Sequence, residues 1–190
     1  MIATVARTVR RIAVLIGSDS DLPVQCLPGL TFLEAKAKQG IAQVVGVYTA
    51  SIHRNTHAVL EIIEELVDRT DVLIVGAGWA NHLTGTVDAY LRNTLQRDTP
   101  VVFGVAFEDF ENTDHTHAAI LGITEVPGTQ VVFERFIGPG GFLLACQKAV
   151  CDELLPAFVG TTKPVVRRTL KEAIAAARRA LAEISVSGNL

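Results

Sequence analysis

The sequence predicts an α/β protein, a three-layer sandwich in which helices cover both faces of a central parallel sheet. Short runs of Val, Ile, Leu and Ala recur along the chain with hardly a polar interruption, the pattern of strands buried on both faces. Stretches with apolar residues spaced three and four apart lie between these runs, as amphipathic helices require. Regular alternation of the two kinds of segment is the signature of a parallel sheet built from crossover units. Three successive strands also end in polar loops, and in such a sheet the carboxyl ends of the strands line one crevice.

The first strand is expected over Arg11 to Gly17, an Ile/Val/Leu run closed by glycine, and Ala42 to Tyr48, Asp71 to Gly76 and Pro100 to Val105 repeat the form. Pro23, Pro28 and Gly29 delay or kink the helix after the first strand. Val59, Leu60, Ile62, Ile63, Leu66 and Val67 share a helix face that begins after a cap at Asn55 or Thr56. Val87, Tyr90, Leu91 and Leu95 share another. A fifth strand is expected around Thr129 to Glu134, behind the punctuation of Pro127 and Gly128, followed by a helix from about Gly141 to Leu154. The expected architecture is flavodoxin-like.

Residues 1–160 form one α/β domain in this reading, and 161–190 a helical extension past the Gly160 to Pro164 linker. Val166, Leu170, Ile174, Ala177, Leu181 and Ile184 give that extension an apolar stripe. The stripe must pack either on its own domain or on a neighbouring subunit.

At 190 residues the chain can bury a full core, since domains of this size remove roughly 70% of their unfolded surface from water. Seventeen basic residues against twenty acidic ones, a net charge of -3, do not create the positive field that nucleic-acid binding needs. Arg7, Arg10 and Arg11 form a small cluster expected to be solvated. The three cysteines include no Cys-x-x-Cys pair, which argues against a disulfide framework or zinc knuckle and for a reducing, cytoplasmic setting. Cys146 and Cys151 are expected to be buried on a helix. No apolar run approaches a membrane span, and residues 1 to 10 lack a secretory pattern.

The chemistry sits in the loops. Gly17-Ser18-Asp19-Ser20-Asp21 provides a tight turn, two hydroxyls and two carboxylates, without the Lys-Ser/Thr ending of a P-loop. Ser18 and Ser20 can donate to phosphate oxygens, and Asp21 suits paired ribose hydroxyls. Ser51-Ile52-His53-Arg54 adds a guanidinium fork for phosphate just before a helix start, with Ser51 at the same rim. It also adds a histidine, a residue type whose reference pKa of about 6.5 suits acid-base work. Gly76-Ala77-Gly78-Trp79-Ala80-Asn81-His82 lets backbone approach a flat ligand. It lacks the third glycine of a dinucleotide fingerprint. Trp79 either covers a ligand or plugs the core. His53, His57 and Glu61 are spaced by four residues, but His53 precedes the helix and no His-Glu-x-x-His sequence is present, so no metal is expected. His115 and His117 read as exposed loop residues.

Taken in order and in context, these loops resemble those of the N5-carboxyaminoimidazole ribonucleotide mutases, also known as the catalytic subunit of phosphoribosylaminoimidazole carboxylase, of purine biosynthesis. The family's Gly-Ser-x-Ser-Asp corresponds to Gly17 to Asp21, its Ser-Ala-His-Arg-Thr-Pro to Ser51 to Thr56, and its Gly-Ala-Gly-Gly-Ala-Ala-His-Leu-Pro-Gly to Gly76 to Gly85. The resemblance spans roughly residues 11 to 155. It implies a cofactor-free mutase or carboxylase that acts on an aminoimidazole ribonucleotide without ATP or metal. His53 would be the proton shuttle, Ser20 and Arg54 would hold phosphate, and Asp21 the ribose. Backbone at Ala77 and Gly78 would hold base and carboxylate, with His82 shaping the pocket. It also implies a homo-octamer with sites formed between subunits.

Several positions depart from the pattern: Ile52 for alanine, Asn55 and Thr56 for Thr-Pro, Trp79 for glycine, Asn81 for alanine, Thr84 for proline, and Ala106 for proline. Larger side chains in the third loop predict a narrowed pocket there. They motivate a second reading, a nucleotide-phosphate-binding sensor or scaffold that has lost catalysis.

Overall fold

The computed structural model describes residues 9–186; Arg7, of the expected basic cluster, and residues 1 to 8 of the expected leaderless start lie outside them. Four strands, β1 (Arg10–Ile16), β2 (Ala42–Thr49), β3 (Val72–Ala77) and β4 (Val101–Ala106), form a parallel sheet in the order β2-β1-β3-β4. Each lies within a residue or so of the expected run. In β1 the alternate residues Ile12, Val14 and Ile16 face one core and Ala13 and Leu15 the other, the two-residue period of a strand covered on both sides.

Helices α1 (Leu27–Lys38) and α5 (Gly138–Cys151) pack on the first face through Leu33, Phe142, Ala145 and Cys146. Helices α2 (Thr56–Leu66) and α3 (His82–Ala89) pack on the second. The expected stripe of α2 sends Val59, Ile63 and Leu66 into the core, each worth about 1.5–3 kcal/mol of apolar burial. Asn55 occupies the expected cap position, but its side chain makes no capping hydrogen bond. A π-helical turn, Leu22–Cys26, precedes α1 where Pro23 and Pro28 were expected to disturb the helix. Helix α4 (Thr113–Thr124) packs Ala119 and Ile123 against Ala106.

The expected fifth strand does not form. Residues near it run beside β4 with only two isolated parallel bridges, Phe103 to Val132 and Ala106 to Ile137. The hydrogen bonds show why: Gly104 N–H donates to Val132 O and Ala106 N–H to Phe136 O. Two steps along β4 therefore face four along the partner. The surplus is absorbed where Arg135 turns into the left-handed region at φ 57°, which breaks the ladder as a bulge does.

Helix α5 starts at Gly138, three residues before the expected start, and ends at Cys151 rather than Leu154. Proline is tolerated in a first helical turn because the amide it lacks has no partner there, and Pro139 sits in that turn. Cys146 is buried as expected, whereas Cys151, in the last turn, is exposed. Cys26 is buried too, and burial pushes its thiol up to about 12. Arg10 and Arg11 are not merely solvated: Arg10 Nη2 donates to Asp152 O, and Arg11 pairs with Asp71.

Beyond α5 the chain carries no regular element until α6 (Leu170–Val186). Ala157 N–H donates to Asp98 O and Gly160 N–H to Arg92 O, so this stretch is strapped to the amino end of the sheet. Leu170, Ile174, Leu181 and Ile184 of the α6 stripe are exposed in the single chain. No helix among the described residues is long and apolar enough to cross a membrane.

Candidate functional site

The strand order places a topological switch point between β1 and β3, and loops leaving neighbouring strands there splay to opposite sides and open a crevice. A cavity of about 280 Å³ lies at that place. Gly17, Ser18, Ser20 and Asp21 enter it from the end of β1, Ser51, His53 and Arg54 from β2, and Ala77, Gly78 and His82 from β3. All the sequence-selected residues thus reach one cleft.

The turn into the first loop is close to the third. Gly17 N–H donates to Gly76 O at 2.9 Å, and a Cβ on Gly17 would come within 3.0 Å of the Ala77 Cβ. Ser18 Oγ and Ser20 Oγ are 2.8 Å apart and hydrogen-bond each other. Burial raises the Asp21 carboxyl above its ordinary range. In the second loop Asn55 N–H and Arg54 N–H both donate to Ser51 O. The Arg54 side chain is exposed and has no ion-pair or hydrogen-bond partner among the described residues.

His53 and His82 meet across the cleft, with Nε2 of the first 2.9 Å from Nδ1 of the second and the rings 5.1 Å apart edge to face. A hydrogen bond between two ring nitrogens needs a proton on one and a lone pair on the other, so one ring donates and the other accepts. His57 turns instead to Glu61 along α2, with Nε2 3.1 Å from Oε1. Among the described residues, no group of three or more His, Cys, Asp or Glu is arranged to hold a metal.

A larger cavity, about 790 Å³, opens at the opposite, amino end of the sheet. Its charged groups include Arg11 and Asp71, already joined at 2.6 Å, and much of the remaining lining is apolar. Chemistry rather than volume singles out the smaller cleft.

A family model for AIR carboxylase matches residues 11–139. The chain belongs to the AIR carboxylase family. No curated protein sequence matches it. Among solved structures, Treponema denticola PurE is 14% identical, with a TM-score of 0.49 over 95% of this chain and 99% of that one. A serine-to-aspartate variant of Treponema denticola PurE2 is also 14% identical, with a TM-score of 0.50 over 93% of this chain and 97% of that one. The latter likeness concerns the fold and agrees with the flavodoxin-like sheet order.

The AIR carboxylase match covers all three loops, and their departures take unexpected positions. Asn81 does not crowd the cleft. It is buried, donates from Nδ2 to Val105 O at 3.0 Å, and accepts from Thr84 N–H as the N-cap of α3. Thr84 is fully buried and its hydroxyl lies 2.9 Å from Asn81 Oδ1. These two replacements lock the loop from behind. Trp79 is not a core plug: it lines the cleft, is 68% exposed, and stacks on His115. His115 and His117 belong to α4 rather than to a loop, and His115 is half-buried.

The cleft has supports that sequence reading missed. Gln25 Nε2 donates to Glu108 O at 2.8 Å and Glu108 N–H donates back to Gln25 Oε1, tying the loop after β4 to the π-helical turn. Gly122 of α4 lies so close to the third loop that a Cβ there would come within 2.0 Å of Ala80 O. A lone glycine in a helix pattern was the only signal of that approach.

Proposed function

We propose that this cleft carries out carboxylate transfer to carbon 4 of an aminoimidazole ribonucleotide, by migration from the exocyclic nitrogen or by direct carboxylation. The observation that carries the reading is the His53–His82 pair, 2.9 Å apart, in a cleft that also holds Arg54, Asp21 and the paired serines. Membership of the AIR carboxylase family supports it. Arg54 and Ser20 bind phosphate, Asp21 the ribose hydroxyls, and the backbone of Ala77 and Gly78 the base and carboxylate.

In the migration, His53 gives a proton to the exocyclic nitrogen as its bond to the carboxyl carbon breaks and carbon dioxide leaves. Carbon 4, electron-rich through the amine, then bonds to the trapped carbon dioxide. The hydrogen on carbon 4 returns to His53 as a proton and the ring regains aromaticity. Atoms and protons balance without an oxidant. Holding carbon dioxide beside its acceptor replaces a bimolecular encounter with an oriented one, the effect that makes high effective molarities possible. His82 shares its hydrogen bond with His53 and so orients the shuttle. The protein acts as a homo-oligomer, in which the α6 stripe has a second copy to pack on; a monomer by light scattering sinks that assembly.

The experiment is spectroscopic conversion of the carbamate, and of the free amine with bicarbonate, by the purified protein and by His53→Asn. The variant is expected to lose at least about 100-fold in turnover while still binding, given what acid-base groups contribute. Full activity in the variant excludes His53 as shuttle. Tight nucleotide binding without turnover of either substrate favours the sensor reading.

A further inference from the structure

We propose that Trp79 determines ligand specificity as an aromatic shelf on which the planar base of a ribonucleotide stacks, with His115 and Asp109 as the residues that position it. This rests on the reading that the cleft takes a ribonucleotide, and it concerns a residue that stands where the family's third loop has glycine.

Trp79 adopts φ 54°, the left-handed region that bulky side chains avoid. Such a conformation persists only where the surroundings over-determine it. Here the surroundings are a chain of hydrogen bonds. The indole lies on the His115 imidazole, centroids 3.8 Å apart and planes inclined by 21°. His115 Nδ1 donates to Asp109 Oδ2 at 2.7 Å, and its Nε2 lies 3.2 Å from Asn112 Nδ2. Asn112 Oδ1 is occupied as the cap of α4, accepting from Asp114 N–H, so its amide nitrogen must face His115 and donate. The imidazole therefore carries its proton on Nδ1. Asp109 is itself braced: Oδ1 accepts from Glu111 N–H and Asn112 N–H, and its own N–H donates to Thr116 Oγ1. The hydrogen bond from His115, followed by those amides, holds its carboxyl below the ordinary range.

One face of the indole is thus clamped, and its exposure of 68% leaves the other open. Trp79 also borders the site. A second hollow of about 290 Å³ adjoins the cleft, and Ser20, Asp21, Gly78 and Trp79 line both. A ligand with its phosphate at Arg54 and its ribose at Asp21 delivers its base to this boundary. An aromatic platform at a fixed height beside Gly78 accepts a flat heterocycle, because stacking requires only a π-face.

Trp79 is the chain's single tryptophan, so fluorescence excited beyond the tyrosine absorption reports on it alone. The full-length protein is titrated with aminoimidazole ribonucleotide, AMP and ribose 5-phosphate by fluorescence and calorimetry, and Trp79→Gly, Trp79→Phe, His115→Ala and His115→Phe by calorimetry. Both base-bearing ligands are expected to quench emission and ribose 5-phosphate to bind without quenching. Trp79→Gly is expected to weaken the ribonucleotides by about 5- to 150-fold, the span that loss of one base stack covers, with ribose 5-phosphate little changed. Trp79→Phe recovers most of the affinity. His115→Phe, which keeps a stacking ring, is expected to bind better than His115→Ala. Glycine relieves the left-handed backbone, so Trp79→Gly stays folded, which an unfolding curve checks.

Equal ribonucleotide affinity in wild type and Trp79→Gly, with turnover intact, overturns the shelf and leaves the carboxylate-transfer reading standing. Base-selective quenching lost in Trp79→Gly, without turnover of either substrate, supports the shelf and overturns that reading. Failure of every phosphate ligand to bind overturns both.

Discussion

The two ends of the parallel sheet use polar residues in opposite ways. At the amino end, charged side chains meet partners of opposite charge or backbone carbonyls. Arg92 Nε pairs with Asp88 at 3.1 Å while Nη1 and Nη2 donate to Arg97 O and Pro100 O, all with Arg92 only 1% exposed. Asp88 Oδ2 in turn accepts from Gln130 N–H. Arg11 reaches Asp71 with Nε and Nη2, and Asp71 Oδ2 takes the Arg11 amide. At the carboxyl end, groups that face the cleft meet like groups: serine with serine, histidine with histidine, and Arg54 with nothing among the described side chains, while Asn81 and His115 are tied down at its margins. The amino end ties its charged groups down and so holds turns in place, although the buried Thr70 hydroxyl has no hydrogen-bond partner among the described residues. The carboxyl end keeps donors and acceptors available to a ligand.

The sharpest way to break this comparison is Asp88→Ala. It leaves the Arg92 guanidinium buried without its counter-charge and the Gln130 amide without its acceptor. The expected loss is about 3–5 kcal/mol in urea unfolding, the scale of breaking one side of a buried pair. A loss under about 1 kcal/mol would mean that the amino end is not the structural end.

Gly122→Ala tests how firmly the third loop rests on α4. Its new Cβ would meet the Ala80 carbonyl at 2.0 Å, so loop and helix must separate. About 1–3 kcal/mol of stability should go with it, together with nucleotide binding in a calorimetric titration, although no cleft residue has changed.

Asp71→Asn carries a pH signature. Burial alone would raise the Asp71 carboxyl, but hydrogen bonds from the Arg11 side chain and amide outweigh it and hold the group below the ordinary 3.8. An acid depressed in the folded state stabilises the fold above its unfolded pKa and loses that contribution as pH falls through the folded value. At pH 7 the variant should be about 1 kcal/mol less stable, as partly exposed ion pairs allow. The difference should shrink as pH is lowered below about 4. A gap independent of pH would remove the ion pair as its source.

Arg54→Ala should have the smallest effect on folding, within about 0.5 kcal/mol, and a clear effect on ligand. Ribose 5-phosphate is expected to bind about 10-fold or more weakly, since a charge-assisted phosphate contact is lost. A marked drop in unfolding midpoint would place Arg54 with the structural residues and blur the contrast.

Most of the body was legible because the signals are local. A run such as Ile12 to Ile16, short, continuously apolar and closed by glycine, reads as a strand buried on both faces, and the spacing of Val59, Ile63 and Leu66 reads as one face of a helix. The misreadings share a cause. The fifth strand has adequate apolar residues but fails against β4 because its spacing does not match. Cys151 looks like Cys146 in sequence, yet five residues on it has turned to the outer face of α5.

The replacements in the third loop show the limit best. From sequence, Trp79, Asn81 and Thr84 all enlarge the same loop and promise the same obstruction. Folded, Asn81 and Thr84 point inward to cap α3, and Trp79 points outward to His115. Side-chain size is a property of the residue, whereas direction is set by backbone dihedrals and by what lies alongside.

By itself the sequence determined the layer architecture, the four central strands, and which loops would gather at the crevice, because hydrophobic period and the geometry of a parallel sheet carry that information; it read one strand too many and missed α4. The tertiary structure alone decided the partners. His53 meets His82 across 29 residues and Gln25 meets Glu108 across 83, and no local pattern records such pairs. They exist because packed helices bring distant backbone to a fixed distance, and a hydrogen bond tolerates only a few tenths of an ångström of error in that distance.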